Sequence, residues 1–111
     1  MAKQTVIYHK LVRDKIPQII EKSGQHCTVQ VLEEAEYLCK LEEKLCEELS
    51  EYQQSKDVEE LADLLEVIAA TAQARGCSWE KLLQIREEKR QKRGGFQDRI
   101  LLKEVIKEEA L

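Results

Sequence analysis

Residues 38–74 read LCKLEEKLCEELSEYQQSKDVEELADLLEVIAATAQA, and the apolar spacing in this stretch predicts two consecutive helices. In its first half, apolar side chains recur at steps of three and four residues, which is the period of an amphipathic helix. They stand at Leu38, Leu41, Leu45, Leu49 and Tyr52. We expect this helix to span residues 33 to about 54 and to be the longest in the protein.

The second helix of the pair is marked at both ends. Asp57 has a side chain typical of a helix N-cap, and Gly76 supplies a C-terminal stop, so we expect a helix over Val58–Ala74. Its apolar residues at helical spacing predict one buried strip, made of Leu61, Leu65, Ile68 and Ala72.

Shorter elements are predicted on either side of this pair. Isoleucines at helical spacing predict a helix over residues 14–22, and Ser78 begins another that ends at Arg93, before two glycines. Residues 5–8 and 28–32 are β-prone, and residues 96–105 are ambiguous between a strand and a short helix. The expected fold is mainly α, a bundle of about four helices with minor short β segments near the N- and C-termini.

The composition limits the kind of protein this is. A chain of 111 residues and 12.9 kDa, with 42% apolar residues, is sized for one domain over residues 1–111. Its longest apolar run, residues 67–72, is far below the roughly 20 residues of a membrane span. The N-terminus develops no apolar export signal, so we expect a cytoplasmic protein without membrane contact.

Cysteine spacing and overall charge exclude two further classes. The four cysteines form no C-x-x-C pair and neither histidine falls at a zinc-ligand interval beside them, so we expect reduced thiols. A net charge of −4 and a pI near 5.3 argue against a nucleic-acid partner, which needs a basic surface.

The charge is nevertheless segregated along the chain. Residues 1–31 carry +3, residues 32–74 carry −10, residues 75–103 carry +5 and the remainder carries −2. An acidic centre with basic flanks suits a central cation with a polyanion held from the sides, although solvated helix faces give the same pattern.

Four carboxylates are placed to share a cation. On a helical projection Glu48 and Glu51 flank the apolar stripe of the first helix, and Glu60 and Asp63 lie beside Val67 on the second. Oxygen-only ligation favours Mg²⁺, with Mn²⁺ as the alternative, over zinc. Two ordinary explanations remain open: a solvated Glu-rich helix, and a variant capping box in which Glu60 follows Asp57.

These motifs resemble a known family. Glu47-Glu48-Leu-Ser-Glu51 followed by Glu60-Leu-Ala-Asp63 is similar to the E-E-x-x-E … E-x-x-D signature of the MazG-like all-α nucleoside triphosphate pyrophosphatases. The flanking segments KLVRDKIP (residues 10–17) and KRQKRGGF (residues 89–96) resemble its small phosphoribosyl-ATP pyrophosphohydrolase-like subgroup. The gap from Glu51 to Glu60 is shorter than is usual in that superfamily, which predicts a tight turn between the helices.

The resemblance implies an activity and a role for each acidic residue. The activity is Mg²⁺-dependent hydrolysis of the α–β phosphoanhydride of a nucleoside triphosphate or related nucleotide, giving a nucleoside monophosphate and pyrophosphate, in a house-cleaning role. Glu48, Glu51, Glu60 and Asp63 would be the metal ligands, and Glu47 with Glu48 the catalytic carboxylates.

Basic residues in the flanks are the candidates for substrate contacts. Guanidinium and ammonium groups suit phosphate oxygens, which points to Arg13, Lys15, Lys89 and Arg93. Alternatively, the basic residues of 86–93 complement the C-terminal end of a helix dipole. Phe96 follows two glycines and could contact a base or ribose, or belong to the core.

Two other readings of the sequence remain. The chain could be a non-enzymatic helical interaction module with a solvated acidic face, or a nucleotide sensor that binds without turnover. Independently of these readings, a long amphipathic helix and a second helix that is apolar on more than one side predict a homodimer, as the resemblance also implies.

Overall fold

The computed structural model describes residues 3–109 and is mainly helical. Its helices are α1 (Ile16–Lys22), α2 (Glu34–Ser55), α3 (Val58–Ala74) and α4 (Trp79–Arg93). The predicted mainly α architecture is confirmed, and α3 has the predicted bounds. No helix in the described part of the chain is both long and apolar enough to cross a membrane.

The described chain divides into two compact units, the first ending at Trp79 and the second beginning at Glu80. The first unit contains α1, α2, α3 and an N-terminal segment, residues 3–15, that has no helix or strand. We call this segment the arm. The second unit contains almost all of α4 and the segment after it.

Helices α2 and α3 form the centre of the first unit, and their connection is as tight as the sequence predicts. Only Lys56 and Asp57 separate them, so the helices are antiparallel neighbours. Lys56 takes the left-handed conformation (φ 59°) and its amide donates to Tyr52 O at 2.7 Å, which ends α2. The Asp57 side chain accepts from the Glu59 amide at 3.0 Å and begins α3, as expected of an N-cap.

The interior between the helices is small and contains a charge. Leu41 is the buried apolar residue of the described chain, at 4% exposure, and Glu48 is buried with it at 7%. The buried side of α2 therefore passes through Leu41, Leu45 and Glu48, whereas Leu49, predicted to lie in the apolar stripe, is exposed. A carboxylate occupies a position where this helical period would normally place an apolar residue.

The prediction of a buried strip on α3 is wrong for the single chain. Leu61, Leu65 and Ile68 are exposed. The half-buried residues of α3 include Asp63, Leu64, Val67 and Thr71 instead. Because α3 is apolar around much of its circumference, its composition did not determine which side would pack on α2.

The predicted β segments do not form. Within residues 3–109, the segments 5–8 and 28–32 have no strand, and 96–105 is neither strand nor helix. A β-prone run needs a second segment to complete its hydrogen-bond ladder, and neither of the first two runs finds one. In the second unit, α4 ends as predicted, where Gly94 takes a φ of 82° and donates its amide to Arg90 O at 2.8 Å.

Candidate metal centre

Glu48 is the central residue of the acidic site. Its Oε2 is buried and has no hydrogen-bond partner, while Oε1 lies 3.5 Å from Lys44 Nζ. Burial raises the pKa of the Glu48 carboxyl above its ordinary value, and the charge of Glu51 raises this pKa further. When both carboxylates are ionised, neither can donate to the other, and Glu48 Oε2 has no partner. An unpaired buried carboxylate oxygen is costly unless a cation satisfies it.

The neighbouring helices bring further carboxylates to the same place. Oxygens of Glu48, Glu60 and Asp63 all lie within 4.8 Å of one another, and so do oxygens of Glu47, Glu48 and Glu51. Glu48 belongs to both groups and joins them. The other four acidic residues singled out in the sequence are therefore gathered around Glu48.

Glu60 shows the electrostatic consequence of this crowding. Loss of hydration raises the pKa of its carboxyl, and the charges of Glu51 and Asp63 raise this pKa further. Negative charges held this close repel one another until a cation lies among them. The Glu60 side chain thus faces the other carboxylates of the cluster, which a capping role alone does not explain.

Three cationic side chains of the same chain lie against the cluster. Lys44 Nζ is 3.4 Å from Glu47 Oε1 as well as 3.5 Å from Glu48. Lys10 Nζ lies 3.2 Å from Glu47 Oε1, and Arg13 Nη2 donates to Asp63 Oδ1 at 2.8 Å. These contacts balance part of the negative charge and leave Glu48 Oε2 free.

A hollow of about 280 Å³ opens beside these groups. Carboxylates from both helices line it, together with Arg13 and Lys44, and Val12 and Val67 supply apolar wall. The carboxylate cluster therefore borders an open recess whose lining carries charges of both signs.

The sequence missed two of the cationic residues. Lys44 could have been found, because it precedes Glu47 and Glu48 by three and four residues, the spacing of helical ion pairs. Lys10 is 37 residues from Glu47 and lies in the arm, where no periodicity predicts a contact.

The predicted substrate residues are found in both units. Arg13 lies in the carboxylate cluster, and Lys15 is exposed at the N-cap position of α1. In the second unit Lys89 and Arg93 are exposed on α4. Phe96 is 97% exposed, so the reading of Phe96 as a core residue is wrong within the described chain.

The donor set fits a hard divalent cation. Every candidate ligand atom is a carboxylate oxygen, the donor that Mg²⁺ and Mn²⁺ prefer. The buried, unpartnered Oε2 of Glu48 is an independent sign that a positive group belongs there.

Comparisons of the chain with protein-family models, curated proteins and solved structures give no significant match.

Proposed function

We propose that this protein is a Mg²⁺-dependent nucleotide pyrophosphohydrolase of the MazG-like type, with house-cleaning as its role. The reaction is cleavage of the α–β phosphoanhydride of a nucleoside triphosphate or related nucleotide to a nucleoside monophosphate and pyrophosphate. The observation that carries the proposal is the orphaned Glu48 Oε2 between carboxylates of two facing helices. The resemblance of the acidic and basic motifs to that family supports it.

Glu48, Glu51, Glu60 and Asp63 are the proposed ligands of Mg²⁺, and Mn²⁺ suits the same oxygens. The chemistry that the ion supplies in such a site is activation of a water and neutralisation of charge on phosphate oxygens. Glu47 orients the attacking water, because Lys10 and Lys44 hold its carboxylate in place next to Glu48.

The basic residues hold the phosphates in this proposal. Arg13 already lies at the edge of the cluster, where its planar fork of donors suits a pair of phosphate oxygens. Lys15 is a further phosphate contact of the first unit. For the second unit, the sequence motif assigns phosphate contacts to Lys89 and Arg93 and a base or ribose contact to the exposed ring of Phe96.

We also propose that the protein is a homodimer. Leu61, Leu65 and Ile68 form an exposed apolar row on α3, at 40%, 50% and 36% exposure. Covering this row with a second copy removes apolar surface from water, and the relatives suggested by the sequence pair through helices. The four free cysteines suit the reducing cytoplasm, where we place the protein.

The test is a panel of nucleoside triphosphates incubated with the full chain and Mg²⁺, with products separated by liquid chromatography. The proposal expects a monophosphate and pyrophosphate from at least one nucleotide, and loss of product with EDTA or in Asp63→Asn. Release of a diphosphate and inorganic phosphate, or no product from any nucleotide, contradicts it.

The contacts of Lys10, Lys44 and Arg13 favour two alternatives without enzymatic activity, since they partly neutralise the acidic face without a metal. The chain would then be a helical interaction module, or a nucleotide sensor without turnover. Saturable nucleotide binding without product formation would identify the sensor. Absence of both nucleotide binding and product formation would identify the interaction module.

A further inference from the structure

One carboxylate of the candidate metal centre is paired with a cation of the same chain. Arg13 Nη2 lies 2.8 Å from Asp63 Oδ1, and these residues are 50 positions apart. Asp63 is also one of the two residues, with Glu60, whose oxygens form one group with Glu48. The Arg13 guanidinium therefore stands beside the place that the proposed function gives to a divalent ion.

Arg13 lies in the arm, which no helical or strand hydrogen bonds hold in place. The arm, residues 3–15, has no helix or strand, and Val6, Ile7 and Tyr8 are exposed. Its polar contacts with α2 and α3 include Lys10 with Glu47, and the His9 carbonyl with Lys40 Nζ at 3.4 Å. These contacts do not involve Arg13, so loss of the Arg13–Asp63 pair would leave them in place.

We propose that Arg13 is an internal counter-ion that a divalent cation displaces from Asp63, so that metal binding releases the guanidinium for the phosphates of the substrate. This inference rests on the metal site of the proposed function and adds a regulatory step to it. A divalent ion among Glu48, Glu60 and Asp63 repels the positive guanidinium and competes for the same carboxylate. Once released, the guanidinium can donate to two phosphate oxygens together.

The exposure of the pair makes this exchange easy. The side chains of Arg13 and Asp63 are 56% and 42% exposed, so water compensates each group when the pair breaks. Glu48 is the opposite case, because its Oε2 is buried and has no other partner. The metal thus gains a buried ligand and displaces a weakly held cation.

The experiment is a titration of the ¹⁵N-labelled full chain with MgCl₂ alone, followed by NMR. Amide shifts in α2 and α3 give the Mg²⁺ affinity, and ¹⁵N heteronuclear NOEs report the mobility of the arm. Arg13→Gln removes the counter-ion. Lys22→Gln is the control, because it removes the same charge from an exposed position at the end of α1. Arg13→Lys keeps the charge.

If Mg²⁺ displaces Arg13 from Asp63, Arg13→Gln should bind Mg²⁺ about two- to fivefold more tightly than Lys22→Gln. The Mg²⁺ affinity of Arg13→Lys should stay near that of the wild type. Saturating Mg²⁺ should lower the NOEs of the wild-type arm and leave those of Arg13→Gln unchanged. Equal affinities of the two glutamine variants, or an arm that becomes more rigid with Mg²⁺, overturns the exchange and leaves the metal site standing. Absence of saturable shifts in α2 and α3 of the wild type overturns both.

Discussion

Lys44 Nζ lies 3.5 Å from Glu48 Oε1, one turn further along α2, while the other oxygen of that carboxylate is buried without a partner. A single ammonium group thus satisfies half of a buried carboxylate. Such a carboxylate lowers the stability of the metal-free protein, and a metal ligand commonly has this property.

Glu48→Gln should therefore stabilise the metal-free protein, by about 1 kcal/mol in free energy of unfolding at neutral pH. The charge that burial penalises is removed, and the loss of one helical ion pair costs less. The control is Glu43→Gln, on the exposed side of α2 with Lys40 as its partner at 3.1 Å, which should change stability by at most about 0.5 kcal/mol. Urea unfolding in EDTA measures both. Destabilisation by Glu48→Gln would show that the charge is well compensated without metal.

The difference in free energy of unfolding between Glu48→Gln and the wild type should depend on pH in a defined direction. The pKa of Glu48 is raised from its ordinary 4.5 in the folded state, so the folded state binds more protons than the unfolded state between 4.5 and the raised value. As pH falls through that window, Glu48 becomes neutral and its penalty is lost. The gain in free energy of unfolding on Glu48→Gln should shrink as urea unfolding is repeated from pH 7 toward pH 4.5. A constant or growing difference contradicts the burial of the charge.

The start of α3 should depend on the oxygen of Asp57. Its side chain accepts from the Glu59 amide at 3.0 Å, so Asp57→Ala leaves that donor without its partner and should cost about 1 kcal/mol. Asp57→Asn keeps an oxygen at the cap and should cost little. Urea midpoints of the two variants provide the measurement, and equal losses would mean that the cap contributes nothing.

The exposed row on α3 should control the oligomeric state. Leu65→Lys puts a charge in the centre of the row and should convert a dimer to a 12.9 kDa monomer in sedimentation equilibrium. Leu49→Lys is the matched control, since Leu49 is similarly exposed but lies on α2. A monomeric wild type, or a dimer that survives Leu65→Lys, rejects this interface.

Local signals were sufficient to predict the helices of this protein. The α3 bounds follow from Asp57 at its start and Gly76 after its end, because capping depends on residues close in sequence. The convergence of Glu48 and Asp63 also followed, because two helices joined by a short turn must be antiparallel.

Contacts that depend on the rest of the chain could not be predicted in this way. The prediction of which side of α3 packs on α2 was wrong, because Leu61 and Val67 are both apolar and only the packed structure distinguishes them. The contact of Arg13 with Asp63 joins an irregular arm to a helix across 50 residues, so no periodicity reports it. The short strands failed because β-propensity depends on a partner strand.

Binding of Mn²⁺ to the full chain tests the central claim most directly, with free Mn²⁺ counted by its EPR signal. The carboxylates of α2 and α3 predict saturable binding to the wild type that is lost in Asp63→Asn. Asp57→Asn, the same substitution at the exposed start of α3, should bind as the wild type does. Binding that is absent from the wild type, or equal in all three proteins, would contradict a metal centre between these helices.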